Sequence, residues 1–139
     1  MKTLLAIMLI LTNCQTNVEK IYEFDYHWDN NKLELTNIYQ ELIWQDINSP
    51  DIVIKQIILE TENCKCNNCC LDNNNLIGFT HNGKYYLYFN NWKSCIKYLK
   101  EYQLKYLHKD ENYYLFLKRI RWARDGQYIN KLKNIRYGN

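Results

Sequence analysis

The sequence predicts a mainly α (α+β) domain with one small β-hairpin. Apolar residues recur at helical spacing in several separate segments, clear strand signal is confined to residues 76–89, and no internal repeat is present. The 139 residues suffice for one small domain once any leader is removed.

Met1-Lys2 followed by the apolar run of residues 4–11 has the size and charge of a signal peptide, and that run is too short to span a bilayer. Leu11-Thr12-Asn13-Cys14 resembles a lipobox, in which Cys14 is lipidated and becomes the mature N-terminus. Asn13 stands where a small residue is usual, and plain secretion is the alternative. Either way the domain is expected outside the cytoplasm, periplasmic or at the cell surface, and as a membrane-anchored lipoprotein where Cys14 carries lipid. Residues 1–14 therefore read as leader, 15–34 as a tether or extension, and 35–139 as the main domain.

Leu35, Ile38, Tyr39, Leu42 and Ile43 fall on one helical face, and this helix is expected to end near Asn48. Ser49-Pro50-Asp51 is a helix-start signal: a hydroxyl N-cap, proline at the first position, and an acid favoured by the helix dipole. Ile52, Val53, Ile57, Ile58 and Leu59 leave this second helix little solvent face, so it should run through the core. Glu60 continues the Val53, Gln56 and Ile57 face at its end. A carboxyl there is partly desolvated, which favours its protonated form and suits a general acid. The bland alternative makes Glu60 the first solvated residue after a buried helix.

A cysteine- and asparagine-rich loop follows, with no regular element expected. Asn82-Gly83 between aromatic and apolar runs signals a two-residue type I′ hairpin. Alternation puts Tyr86 and Tyr88 on one face and Tyr85, Leu87 and Phe89 on the other. Trp92, Cys95, Ile96, Leu99 and Gln103 form one helical stripe; Tyr113, Phe116, Leu117 and Ile120 form another. Asp125 can N-cap a last helix bearing Tyr128, Ile129, Leu132 and Ile135.

The net charge of +3 would favour an anionic surface such as a cell wall, but it does not argue for nucleic acid. Cys64, Cys66, Cys69 and Cys70 invite a zinc reading, yet no second C-x-x-C or histidine pair lies at zinc spacing. A disulfide is the better expectation in an exported chain, and a bridge from this loop to Cys95 would pin it to the following helix. Neither metal nor cofactor is expected.

Gln56-Ile57-Ile58-Leu59-Glu60-Thr61, then Asn74-Asn75-Leu76-Ile77-Gly78-Phe79, resembles the catalytic segment of the glucosaminidase family of cell-wall hydrolases (glycoside hydrolase family 73). In that family a Q-A-x-L-E-T/S-G helix end precedes N-N-L-F-G. Arg121-Trp122-Ala123-Arg124-Asp125-Gly126-Gln127-Tyr128-Ile129 is similar to the family's Y-A-x-D-P-x-Y motif. Order and spacing are similar to those of compact members, and the resemblance covers roughly residues 35–135. Glu62 replaces a glycine, Ile77 a phenylalanine, Trp122 a tyrosine and Gly126 a proline.

The resemblance implies a lysozyme-like helical domain that cuts the glycan strand of peptidoglycan beside N-acetylglucosamine, with Glu60 as general acid. The expected site adds Asn74, Asn75, Tyr86, Tyr88, Trp122 and Tyr128 as substrate-binding groups. Trp122 can stack on a sugar, although it lacks the hydroxyl of the tyrosine it replaces. Glu62, Asp72, Glu101 and Asp125 are the candidates for a second carboxylate, none compelling, which favours attack by the substrate's own N-acetyl or 6-hydroxyl group. The first route hydrolyses; the second leaves an anhydro sugar, as a lytic transglycosylase does. The expected partners are the glycan strand and, through Cys14, a membrane lipid, with the protein itself a monomer. Two rival readings stand beside the enzyme: a catalytically impaired glycan-binding lipoprotein derived from such a hydrolase, and a cysteine-rich interaction lipoprotein unrelated to sugars.

Overall fold

The computed structural model describes residues 31–138; the expected leader, its Cys14 and most of the 15–34 extension lie outside them. The described chain is mainly α, with five helices and one two-stranded antiparallel sheet. None of these helices is long and apolar enough to cross a membrane.

Helix α1 (Leu35–Trp44) buries Ile38 and Leu42 from the predicted stripe. It stops short of Asn48 because Asp46 turns left-handed at φ 52°. The Asp46 and Ile47 N–H groups then bond back to Ile43 and Leu42, each at 3.0 Å, closing a Schellman end without glycine.

Helix α2 (Pro50–Thr61) begins on proline, as expected, but Ser49 does not cap it. The Ser49 backbone is itself left-handed, and its hydroxyl donates to Asn48 Oδ1 at 2.7 Å. Asp51 instead accepts from the Tyr39 hydroxyl, tying α2 to α1. Val53, Ile54, Gln56, Ile57 and Thr61 are buried, so α2 does run through the core.

The loop after α2 holds a short 3₁₀ turn (Cys70–Asn73) and a disulfide between Cys66 and Cys69. Of the pairings left open by the sequence, the bridge from the loop to Cys95 does not form. Its buried thiol accepts the Leu76 N–H at 3.4 Å, and burial pushes it up to about 12. The observed bridge spans a sequence separation of 3, so on loop-closure entropy it contributes at most about 2 kcal/mol.

Strands β1 (Thr80–His81) and β2 (Tyr85–Tyr86) form the hairpin. Asn82 and Gly83 both have positive φ, and the Lys84 N–H closes on the His81 carbonyl at 3.1 Å, as in a primed turn. The register pairs Thr80 with Tyr86 and His81 with Tyr85. Lys84 is therefore an extra loop residue, and the connection is three residues instead of two.

Helix α3 (Trp92–Tyr106) is capped by Asn91 and buries all five residues of its predicted stripe. Gln103, the last of them, fixes the α1–α2 turn. Its side chain accepts from the Asn48 N–H at 2.8 Å and donates to the Asn48 carbonyl at 3.1 Å. Helix α4 (Tyr113–Arg119) starts from Asn112, whose side chain accepts two backbone N–H groups. Helix α5 (Tyr128–Asn134) packs on α2 and buries Tyr128 and Leu132. Asp125 lies two residues before its N-cap, Gln127, and accepts the Gln127 N–H at 2.8 Å.

Glu62 follows α2 in the left-handed region at φ 49°, and the Asn63 N–H bonds back to Ile58. This is the Schellman position that glycine fills without a Cβ penalty, and the glycine of the resembled motif falls here. Glu62→Gly should raise stability by about 1 kcal/mol, or about 4–8 °C in melting temperature. Thermal unfolding of the two proteins checks this, and a lower melting temperature for the variant would contradict it.

Candidate active site

Helical spacing puts Gln56 and Glu60 on one face of α2, and α5 brings Tyr128 across to meet them. The Tyr128 hydroxyl donates to Glu60 Oε1 at 2.8 Å and accepts from Gln56 Nε2 at 3.4 Å. On the other side, Gly78 closes over the acid. A Cβ at Gly78 would stand 3.2 Å from Glu60 Oε2 and 3.9 Å from the Tyr86 ring, and its φ of +74° also favours glycine. The carboxyl thus lies between the α5 tyrosine and the base of the hairpin, with Tyr86 beside it. Below it, the Cys70 thiol donates to the Glu60 backbone carbonyl at 3.6 Å.

Burial pushes the Glu60 carboxyl above its ordinary range, and the Tyr128 hydrogen bond pulls part of the way back. Among the described residues no second carboxylate shifts it. Burial, reinforced by the Glu60 charge, holds Tyr128 far above the usual phenol range, so its hydroxyl stays a donor. The same two influences push the Cys70 thiol up to about 11, keeping it neutral beside the acid. A partly desolvated carboxyl oriented by one hydroxyl holds its proton more tightly than a solvated one, which suits a proton donor.

The other site residues expected from sequence divide by placement. Asn75 is 0% exposed; it donates to the Phe79 and Leu87 carbonyls and accepts the Phe79 N–H at 3.0 Å. Its amide is wholly engaged in holding the hairpin, which leaves no surface for a sugar. Asn74 donates to the Phe89 carbonyl at 2.9 Å and is partly buried. Tyr86 and Tyr88 are exposed, 48% and 69%, and are free to meet a ligand. Trp122 is partly buried, edge-on to Phe79 at 5.2 Å and to Tyr102 at 6.0 Å, in an aromatic cluster behind the hairpin. Tyr128 is 7% exposed and faces Glu60 instead of solvent.

Of the four candidate second carboxylates, all are exposed, and Asp125 is engaged by Lys131 at 2.6 Å. The described residues contain no group of three His, Cys, Asp or Glu side chains arranged to hold a metal ion. Sequence reasoning assigns no role to Gln56, Gly78 or Cys70. Gln56 and Gly78 lie within the quoted motifs, and spacing from Glu60 could have marked Gln56. Comparison of the chain with protein-family models, with characterised proteins and with solved structures finds no match.

The raised Glu60 value makes a stability prediction with a definite sign. A carboxyl that holds its proton more tightly when folded stabilises the fold fully below its ordinary value of 4.5. That contribution is lost as pH rises through the folded value. Glutamine keeps the hydrogen bond from Tyr128 and never ionises. Glu60→Gln should therefore melt above the wild type at neutral pH, and the gap should close as pH falls below 4.5. Melting curves across pH 3–8 (roughly the span of carboxyl titration) check this, and a gap independent of pH would contradict it.

Proposed function

We propose that the chain is an exported peptidoglycan glycosidase of the endo-N-acetylglucosaminidase type, with Glu60 as the general acid. The observation that carries this reading is the half-buried Glu60 carboxyl, bonded to Tyr128 and covered by Gly78 at the base of the hairpin. Glycosidic cleavage needs a proton delivered to the leaving oxygen. Glu60 keeps that proton to higher pH than a solvated carboxyl, and Tyr128 fixes the group through Oε1 while Oε2 lies under Gly78, which carries no side chain to press on it. Tyr86 and Tyr88 offer exposed rings on which sugar faces can stack.

Among the described residues no second carboxylate acts on Glu60, so in this reading the nucleophile comes from the substrate. Attack by its N-acetyl oxygen expels the leaving sugar and closes an oxazolinium ring, which water then opens to complete hydrolysis. Attack by its 6-hydroxyl oxygen closes an anhydro ring, the hydroxyl proton passing to the Glu60 carboxylate left after donation. In both cases Glu60 gives its proton to the departing oxygen. Export, by the leader and Cys14, would bring the chain to its substrate, and the Cys66–Cys69 disulfide suits an oxidising compartment.

Exposed tyrosines would equally serve a glycan-binding lipoprotein that no longer cuts, and one experiment separates the two. In a zymogram on purified sacculi, wild type should clear the gel. Glu60→Gln should lose about 10²–10⁴-fold in activity while still binding the sacculi. Activity within a few-fold of wild type in the variant would remove Glu60 from the mechanism. Binding without clearing by both proteins would favour the binding lipoprotein.

A further inference from the structure

A groove of about 950 Å³ opens between α4, α5 and the segment joining them. Lys118, Arg121, Arg124 and Lys133 line it, while Leu115, Ala123 and Ile129 contribute apolar surface. Asp125 is the one acid in its lining, and it is neutralised by Lys131 at 2.6 Å. Among the described residues no carboxylate pairs with Lys118, Arg121 or Arg124. Lys133 rests over the Tyr114 ring at 5.3 Å, held by a contact that leaves its charge uncompensated.

The backbone adds a second observation. Helix α4 ends in a Schellman motif, with the Arg121 N–H bonded to Lys118 and the Trp122 N–H to Leu117. Arg121 occupies the left-handed position of that motif at φ 53°, where glycine is the favoured residue. Arg121 thus presents its guanidinium at the groove from a left-handed backbone position. Arg124 reaches the hairpin, where a Cβ on Gly83 would lie 3.9 Å from its Nη2. Tyr128 joins the groove to the acid, since it lines the groove and donates to Glu60.

We propose that this groove binds a short peptide bearing carboxylates. Guanidinium groups recognise carboxylates through paired hydrogen bonds, and the apolar surface suits aliphatic side chains between the charges. A phosphate polymer would gain from the cations but would leave the apolar surface uncovered. Resting on the glycosidase reading, the natural ligand is the peptide carried by the glycan strand, held one tyrosine away from the bond to be cut.

The probe is the tripeptide Ala-Glu-Ala with a free C-terminus, titrated calorimetrically into the full chain. Saturable binding is expected, weakened by salt and absent for the Ala-Gln-Ala amide, which carries no carboxylate. The double variant Arg121→Gly, Arg124→Gln should fold, since glycine relieves the left-handed strain, and should bind about tenfold more weakly or worse. Glu60→Gln should bind the peptide as wild type does. Absence of saturation, an unchanged affinity in the double variant, or tighter binding of glycerol phosphate than of the peptide would overturn the proposal. Arginine-dependent peptide binding in a protein that leaves sacculi uncut would uphold the groove and reject the glycosidase reading. Cutting without peptide binding would do the reverse.

Discussion

A single hydrogen bond, from the Tyr128 hydroxyl to the Glu60 carboxyl, organises the site across a sequence separation of 68. It forms because α2 buries one face in the core and α5 packs on it. Burial by itself would make Glu60 a costly residue, since a desolvated carboxylate lacks partners. The phenol supplies one, and Gln56 in turn holds the phenol. The result is an acid that is raised by its surroundings yet fixed in direction. These are the two properties that proton donation to a leaving group requires.

The hairpin depends on the same arrangement from the other side. Asn75 clamps it through two backbone carbonyls and one N–H, and Cys95 steadies the preceding Leu76 N–H from α3. This places Gly78, without a side chain, over Glu60 Oε2. Any Cβ there would press on the acid and meet the φ penalty as well. The exposed ring of Tyr86 then stands near an acid whose own geometry it does not set. In the proposed glycosidase, binding and proton transfer would fall to different elements. The left-handed, non-glycine helix ends at Asp46, Glu62 and Arg121 show how much backbone strain the fold carries elsewhere.

Much of the fold is legible in the sequence because helical periodicity reports burial directly. The α3 stripe from Trp92 to Gln103 is buried as predicted, and Glu60 does continue the buried face of α2. What escapes prediction depends on local backbone choices or on long-range pairing. Ser49 has the chemistry of a cap, but its left-handed backbone turns the hydroxyl to Asn48. Lys84 enters the hairpin loop because the pairing register, not the Asn-Gly dipeptide alone, sets the loop length. The disulfide joins near neighbours, and no spacing rule could have excluded Cys95 beforehand. Asn75 and Tyr128 are expected to meet a ligand, whereas their hydrogen bonds run inward to the hairpin and to Glu60. The cationic groove is hidden from sequence because Arg121 and Lys133 meet only once α4 and α5 are packed.

The central claim is that burial raises Glu60 and the Tyr128 hydroxyl partly offsets that rise. Titrating the Glu60 carboxyl carbon by NMR in wild type and in Tyr128→Phe tests it directly. The account predicts a wild-type value above the ordinary 4.5 and a still higher one in the variant, because the phenol stabilises the ionised form. A wild-type carboxyl that titrates as a solvated glutamate, or a lower value once the hydroxyl is removed, would contradict it.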